Sequence, residues 1–144
     1  SGGIRNGADV AKAIALGADA VSIGTAALIA LGDNDPKWEK EYNKLGTTHG
    51  AYDDWHEGKD PAGITTQDPN LMARLDPIEG GRKLNNYLKV ITLEAQTIAR
   101  ACGKNHIHNL EPEDLCAVTL EAAAMARVPL AGTDWWPGKT GGLF

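Results

Sequence analysis

The residues best suited to chemistry in this chain of 144 residues stand at its start, in Ser1-Gly2-Gly3-Ile4-Arg5, and again in Gly24-Thr25. Glycine lets backbone N–H groups approach an anion with no side chain in the way. The hydroxyls of Ser1 and Thr25 add donors. Arg5 either gives a charged hydrogen bond to a phosphate or stands as a surface arginine capping a loop. Both turns lead into helix starts, where unpaired N–H groups and a partial positive charge favour anions. Two such turns side by side would grip a phosphate monoester, so Ser1, Gly2, Gly3, Arg5, Gly24 and Thr25 are the candidate cofactor-binding residues. From these residues alone the ligand is a phosphate-bearing molecule of unspecified class.

The elements that must position the two turns are legible around them. Gly7 to Leu16 has helical spacing, with Val10, Ile14 and the methyls of Ala11, Ala13 and Ala15 on one broad face. Asn6 is the expected N-cap and Gly17 the expected stop. Asp19 to Ile23 is short, apolar and β-branched, which predicts a buried parallel strand. A helix followed so closely by such a strand is the second half of a βαβ unit whose first strand precedes Ser1.

These residues resemble a known family. The run SGGIRNGADVAKAIALGADAVSIGTAALIALG is similar to the last βα units of the FMN-binding (β/α)8 barrel of the glutamate synthase family. The segments DPAGITTQDPNL and NYLKVITLEAQTIARACGKNHIHNLEPEDLCAVTLEAAAMARVPLAGT are similar, within that family, to the large FMN subunits of N-methylglutamate synthases, the methylamine-glutamate N-methyltransferases. The resemblance implies an α/β fold class: the C-terminal part of a TIM-type (β/α)8 barrel, about strands 7 and 8, then a long loop and a mostly helical extension. It implies FMN as the cofactor, held through the six residues above, and a flavoenzyme that makes N-methylglutamate from methylamine and glutamate. A glutamate synthase component that aminates 2-oxoglutarate is the alternative. A phosphosugar-binding barrel shares the turn but not the C-terminal helices. A whole barrel needs about 250 residues, so the remaining N-terminal part of the barrel, or other synthase subunits, are the expected partners, in an oligomer. The catalytic residues would lie upstream, and the 144-residue chain alone is expected to be inactive. A half-barrel fragment or assembly module is the reading from a different class.

The resemblance divides the chain into 1–32, the last βα units with the phosphate turns; 33–79, a loop-rich insertion; 80–127, a helical pair; and 128–144, an irregular tail. In the insertion, Asp35-Pro36 opens a short charged helix to Leu45, with Trp38, Tyr42 and Leu45 on one face and Gly46 as its stop. Thr47 to Pro77 lacks sustained periodicity, and a loop this long usually carries function or wraps a neighbour. In glutamate synthases this region supplies three cysteines to an iron-sulfur cluster beside the flavin. Here Asp33 stands where the first would fall and Asp60 where the last would, with no cysteine between Gly32 and Gln67. Carboxylates do not replace thiolates in such clusters, so none is expected.

Other candidates are weaker. His49 and His56, and His106 and His108, form pairs without a third ligand at metal-site spacing, and read as solvated or hydrogen-bonded histidines. Asp53-Asp54 reads as turn and cap residues. No metal site is expected. Gly80 to Cys102 is the longest helical pattern, with Leu84, Tyr87, Leu88, Ile91, Leu93, Ala95, Ile98 and Ala99 as its stripe. Glu111-Pro112 predicts a second helix, continuing through Leu115, Val118, Leu120 and Met125 to Arg127 and packing antiparallel on the first. Cys102 and Cys116 read as small hydrophobes, and Trp135-Trp136 as an anchor for the tail.

Composition bounds the rest. With 14 basic and 19 acidic residues the net charge is −5, which argues against a nucleic-acid partner. No apolar run approaches about 18 residues, so no membrane partner is expected. Two dispersed cysteines, with no signal peptide, suit a reducing, cytoplasmic protein. Ser1, not being Met, is expected to be a processing or truncation boundary, with Ser-Gly-Gly as a cloning scar the alternative.

Overall fold

A computed structural model describes residues 2–33, 35–46 and 58–138. The described chain is helical: α1 (Gly7–Ala15), α2 (Thr25–Leu31), α3 (Glu39–Lys44), α4 (Pro69–Met72), α5 (Pro77–Ala101) and α6 (Leu120–Ala126), with three short 3-10 turns. Two compact units share α5. One holds Gly3–Ser22 and everything from Ile91 on, and the other holds Gly2 and Ile23–Val90.

In the first unit, α1 forms as its residues predict. The Asn6 side chain accepts from the Asp9 N–H at 2.9 Å, and Gly17 ends the helix at φ 102°. Ala11, Ile14 and Ala15 bury against Ala99 and Leu110, with Ile98, Cys102 and Ile107 around them. Such a small-residue face lets two helices approach closely, and at Gly7 the approach reaches backbone. An added Cβ there would lie 2.5 Å from the Ala95 nitrogen and the Ile91 carbonyl oxygen. The Gly7 N–H donates to Glu94 Oε2 at 2.6 Å. After α5, Lys104 Nζ meets Glu111 at 2.9 Å and Asp114 at 3.4 Å, tying the chain back to the end of the helix.

The helix expected from Glu111 to Arg127 is broken. A 3-10 turn covers Pro112–Asp114, the backbone is extended at Leu115, and α6 starts only at Leu120, capped by the Thr119 side chain. The reason is tertiary. The Ala117 N–H donates to Pro129 O, and the Ala131 N–H donates to Ala117 O, both at 2.8 Å, so Ala117 spends its backbone groups on the 129–131 segment. Ala117, Ala123 and Val128 then form a small core of their own, with α6 closing on Ala123.

The segment predicted as a buried strand, Asp19–Ile23, belongs to no ladder, and the β pairing among the described residues is one isolated bridge, Ala117 with Leu130. Val21 and Ile23 are half-buried, and no backbone group from Ala20 to Ile23 is hydrogen-bonded among the described residues. A strand exists only against a neighbour, and none of the described residues supplies one.

In the second unit, Asp35 accepts from the Lys37 N–H as the expected N-cap, and Gly46, at φ 73°, follows α3. α5 starts three residues before the expected Gly80, because Asp76 accepts from the Ile78 and Glu79 N–H groups and Pro77 suits the first turn. In the part of α5 that belongs to the first unit, Ile91, Ala95 and Ala99 of the predicted stripe are buried, whereas Leu93 is exposed. Gly81 of α5 has nothing near a built Cβ. Gly81→Ala is therefore expected to stabilise the protein by about 0.5–1 kcal/mol, read as a higher urea midpoint, since it removes helix-interior glycine entropy without a clash.

Candidate functional site

The Gly-Gly turn is open. Gly2 and Gly3 both have positive φ, 83° and 72°, and a Cβ at either would meet nothing within 4 Å. Left-handed backbone favours glycine, so a substitution here is strained even where there is room. Neither glycine N–H is hydrogen-bonded among the described residues. Ser1 lies outside the described residues, so its expected donor role has no geometry here.

Arg5 is committed locally. Its N–H donates to Asp9 Oδ2 at 3.0 Å, and its Nε lies 3.9 Å from the same carboxylate with the side chain 81% exposed. That backbone hydrogen bond, with Lys12 beside it, holds the Asp9 carboxyl below its ordinary range. A lowered carboxylate pKa stabilises the fold above the unfolded value and stops doing so as pH falls through the folded one. The stability gap between the protein and an Asp9→Asn variant is thus expected to be full at neutral pH and to close below about pH 4, as read from thermal midpoints along a pH series.

The second turn is equally bare. Gly24 precedes α2 without a side-chain cap, Gly24 and Thr25 are exposed, and the N–H groups of Thr25 and Ala26 have no partner among the described residues. Gly2 falls in the same compact unit as Gly24 and Thr25, and Gly3 in the other. Each turn by itself presents free amide donors beside small residues, the donor set an anionic oxygen needs.

The remaining candidates divide. His49, His56 and Asp53-Asp54 lie outside the described residues. The His106 and His108 rings lie 5.1 Å apart, tilted by 44°, with His106 accepting from the His108 N–H and His108 Nε2 lying 3.0 Å from the Asp19 carbonyl. Among the described residues no group of three His, Cys, Asp or Glu is placed to hold a metal. Cys102 is half-buried and Cys116 exposed, both free thiols.

Sequence reasoning missed the buried carboxylate of Asp60. Asp60, 1% exposed, accepts from the N–H groups of Ala62, Ile64 and Thr65, and the Tyr42 hydroxyl, with one proton to give, lies between Asp33 Oδ1 at 2.7 Å and Asp60 Oδ1 at 3.1 Å. The signal was Asp60-Pro61-Ala62-Gly63, an Asx-type turn in which the aspartate bonds its own downstream backbone. Arg74 adds a second tie, donating to Glu41 Oε2 at 2.8 Å and to the Pro61 carbonyl at 2.9 Å, with its guanidinium 4.6 Å from the Trp38 ring centre. As ligands for an iron-sulfur cluster these residues do not fit: positions 33 and 60 offer hard carboxylate oxygens already occupied by donors, where a cluster takes thiolates.

Comparison with known proteins bears on the whole chain. The family described as a conserved region in glutamate synthase matches residues 1–36 and 51–105. A glutamate synthase large subunit-like protein of Rhizobium meliloti (strain 1021) is 84% identical over 139 residues, 96% of this chain and 31% of that protein. An archaeal glutamate synthase [NADPH] of Methanocaldococcus jannaschii is 44% identical over 110 residues, 76% of this chain and 18% of its own length. An archaeal-type glutamate synthase [NADPH] of Thermotoga maritima has the same identity and coverage. The chain thus spans less than a third of the curated relatives it matches. No solved structure matches it. No described helix is long and apolar enough to cross a membrane. A family match over more than half of its residues, together with a relative sharing most of its sequence, places this chain in the glutamate synthase family.

Proposed function

We propose that this chain is the C-terminal part of an FMN-dependent enzyme of the glutamate synthase type that makes N-methylglutamate from methylamine and glutamate. The observation that carries the reading is a pair of bare glycine turns, at Gly2-Gly3 and Gly24-Thr25, with free amides and open space, in a chain of this family. Those amides and the Thr25 hydroxyl would hold the FMN phosphate, with Ser1 as a further candidate donor and Arg5 shared with Asp9. Bound flavin would supply the redox step. The part of this chain is to fix and orient the phosphate end while the rest of the polypeptide shapes the reacting end.

The fold that goes with this function is a (β/α)8 barrel completed by the polypeptide that accompanies this region in longer relatives. The unpaired backbone of Ala20–Ile23 supports it, since a central barrel strand needs a neighbour on each side. Val118 and Met125, each 87% exposed, are further apolar surface for that polypeptide to cover.

Amination of 2-oxoglutarate is the second reading, favoured by the archaeal relatives named as glutamate synthases. The experiment is to purify the protein with its accompanying polypeptide, measure FMN per chain, and assay methylamine with glutamate against ammonia with 2-oxoglutarate. FMN near one per chain and methylamine-dependent N-methylglutamate are expected, with no turnover from the 144-residue chain alone. Turnover confined to 2-oxoglutarate would select the second reading, and the absence of flavin would defeat both.

A further inference from the structure

We propose that Asp33, Tyr42 and Asp60 form a hydrogen-bonded clamp that takes the place of a metal cluster in this loop, so that residues 58–66 fold without iron or sulfide. A carboxylate has about four acceptor positions, and at Asp60 three are filled by backbone amides and the fourth faces the hydroxyl that Asp60 shares with Asp33. Oδ1 accepts from the Ala62 N–H at 2.9 Å and lies 3.1 Å from the Tyr42 hydroxyl, while Oδ2 accepts from the Ile64 N–H at 2.8 Å and the Thr65 N–H at 3.0 Å. No ion pair reaches Asp60 among the described residues. Three backbone amides curled round one oxygen pair form an anion nest, and the anion is the loop's own side chain.

Tyr42 makes this local turn into a tertiary clamp. It is 1% exposed in α3, and its hydroxyl lies 2.7 Å from Asp33 Oδ1, just past α2. Residues 33 and 60 thus converge on one oxygen from 27 positions apart, as two ligands of one centre would, yet the centre is a phenol. The rest of the loop is built around it. Gly63 turns at φ 80°, with the space over it filled by the Leu71 carbonyl, and the Thr66 hydroxyl donates to the Gly58 carbonyl.

The clamp is tested by hydrogen exchange on peptides covering residues 58–66 of the purified protein, with iron and acid-labile sulfide measured on the same sample. Protection of this segment is expected to be unchanged by iron chelation. Tyr42→Phe, which keeps the ring, is expected to lower it about tenfold, and Asp60→Asn, which can serve only part of the donor set, about a hundredfold. Added formate is expected to restore protection in Asp60→Gly by refilling the nest. Stoichiometric iron and sulfide, or protection unmoved by both Tyr42→Phe and Asp60→Asn, would overturn the proposal. None of these readouts involves flavin, so the clamp and the flavoenzyme reading stand or fall separately.

Discussion

Alanine at position 7 is expected to destabilise the protein by about 3 kcal/mol or more, at the upper end of what overpacking costs. The new methyl would sit 2.5 Å from the Ala95 nitrogen, the Ile91 carbonyl oxygen and Glu94 Cβ. Two of these atoms are backbone and the third is the first side-chain carbon, so no rotamer change relieves the clash and α1 must lift off α5. Lifting it also strains the 2.6 Å bond from the Gly7 N–H to Glu94, a charge-assisted hydrogen bond. It opens the small core of Ala11, Ile14, Ala15 and Ala99 as well. Urea unfolding of Gly7→Ala beside Gly81→Ala is the check: both add one methyl to a glycine, and opposite signs are expected. A Gly7→Ala variant as stable as the parent would mean that α1 does not rest on α5 at this position.

The second large effect is at Gly63. Its φ of 80° alone costs a residue with a Cβ about 1–2 kcal/mol, and the built Cβ would lie 2.2 Å from the Leu71 carbonyl oxygen. That oxygen belongs to α4 and cannot rotate away. Gly63→Ala is expected to cost about 3 kcal/mol or more and to do so by opening the turn that holds Asp60. Exchange at the Ile64 and Thr65 amides should therefore rise together with the loss in urea midpoint. If the midpoint fell while those amides stayed protected, the strain would have been absorbed in α4 instead of in the turn.

What could be read from the residues in order was whatever is decided within one or two helical turns. Asn6 caps α1 through the Asp9 amide, Asp35 caps the turn before α3, and Gly17 and Gly46 take the left-handed conformation after their helices. Each depends on neighbours at most four residues away, so local spacing is enough. The Gly2-Gly3 turn belongs to the same class: paired glycines are visible in sequence, and the fold gives both a positive φ.

The tertiary structure decided what depends on distant partners. Gly7 looks like an ordinary helix start until the backbone of α5, more than 80 residues on, lies against it. The pattern from Glu111 to Arg127 is a good helix on periodicity, but hydrogen bonds between Ala117 and the 129–131 segment outweigh continuing it. Asp33 and Asp60 were visible as carboxylates at positions where thiolates were looked for, but not as the two sides of Tyr42. The sequence by itself determined α1 and its cap, the opening and stop of the short charged helix, most of α5, the glycine turn at the start and the family resemblance. Only the folded chain decided which of those glycines have no room for a methyl and which carboxylate is buried, because close approach and desolvation are properties of surfaces that meet, and no single surface carries them alone.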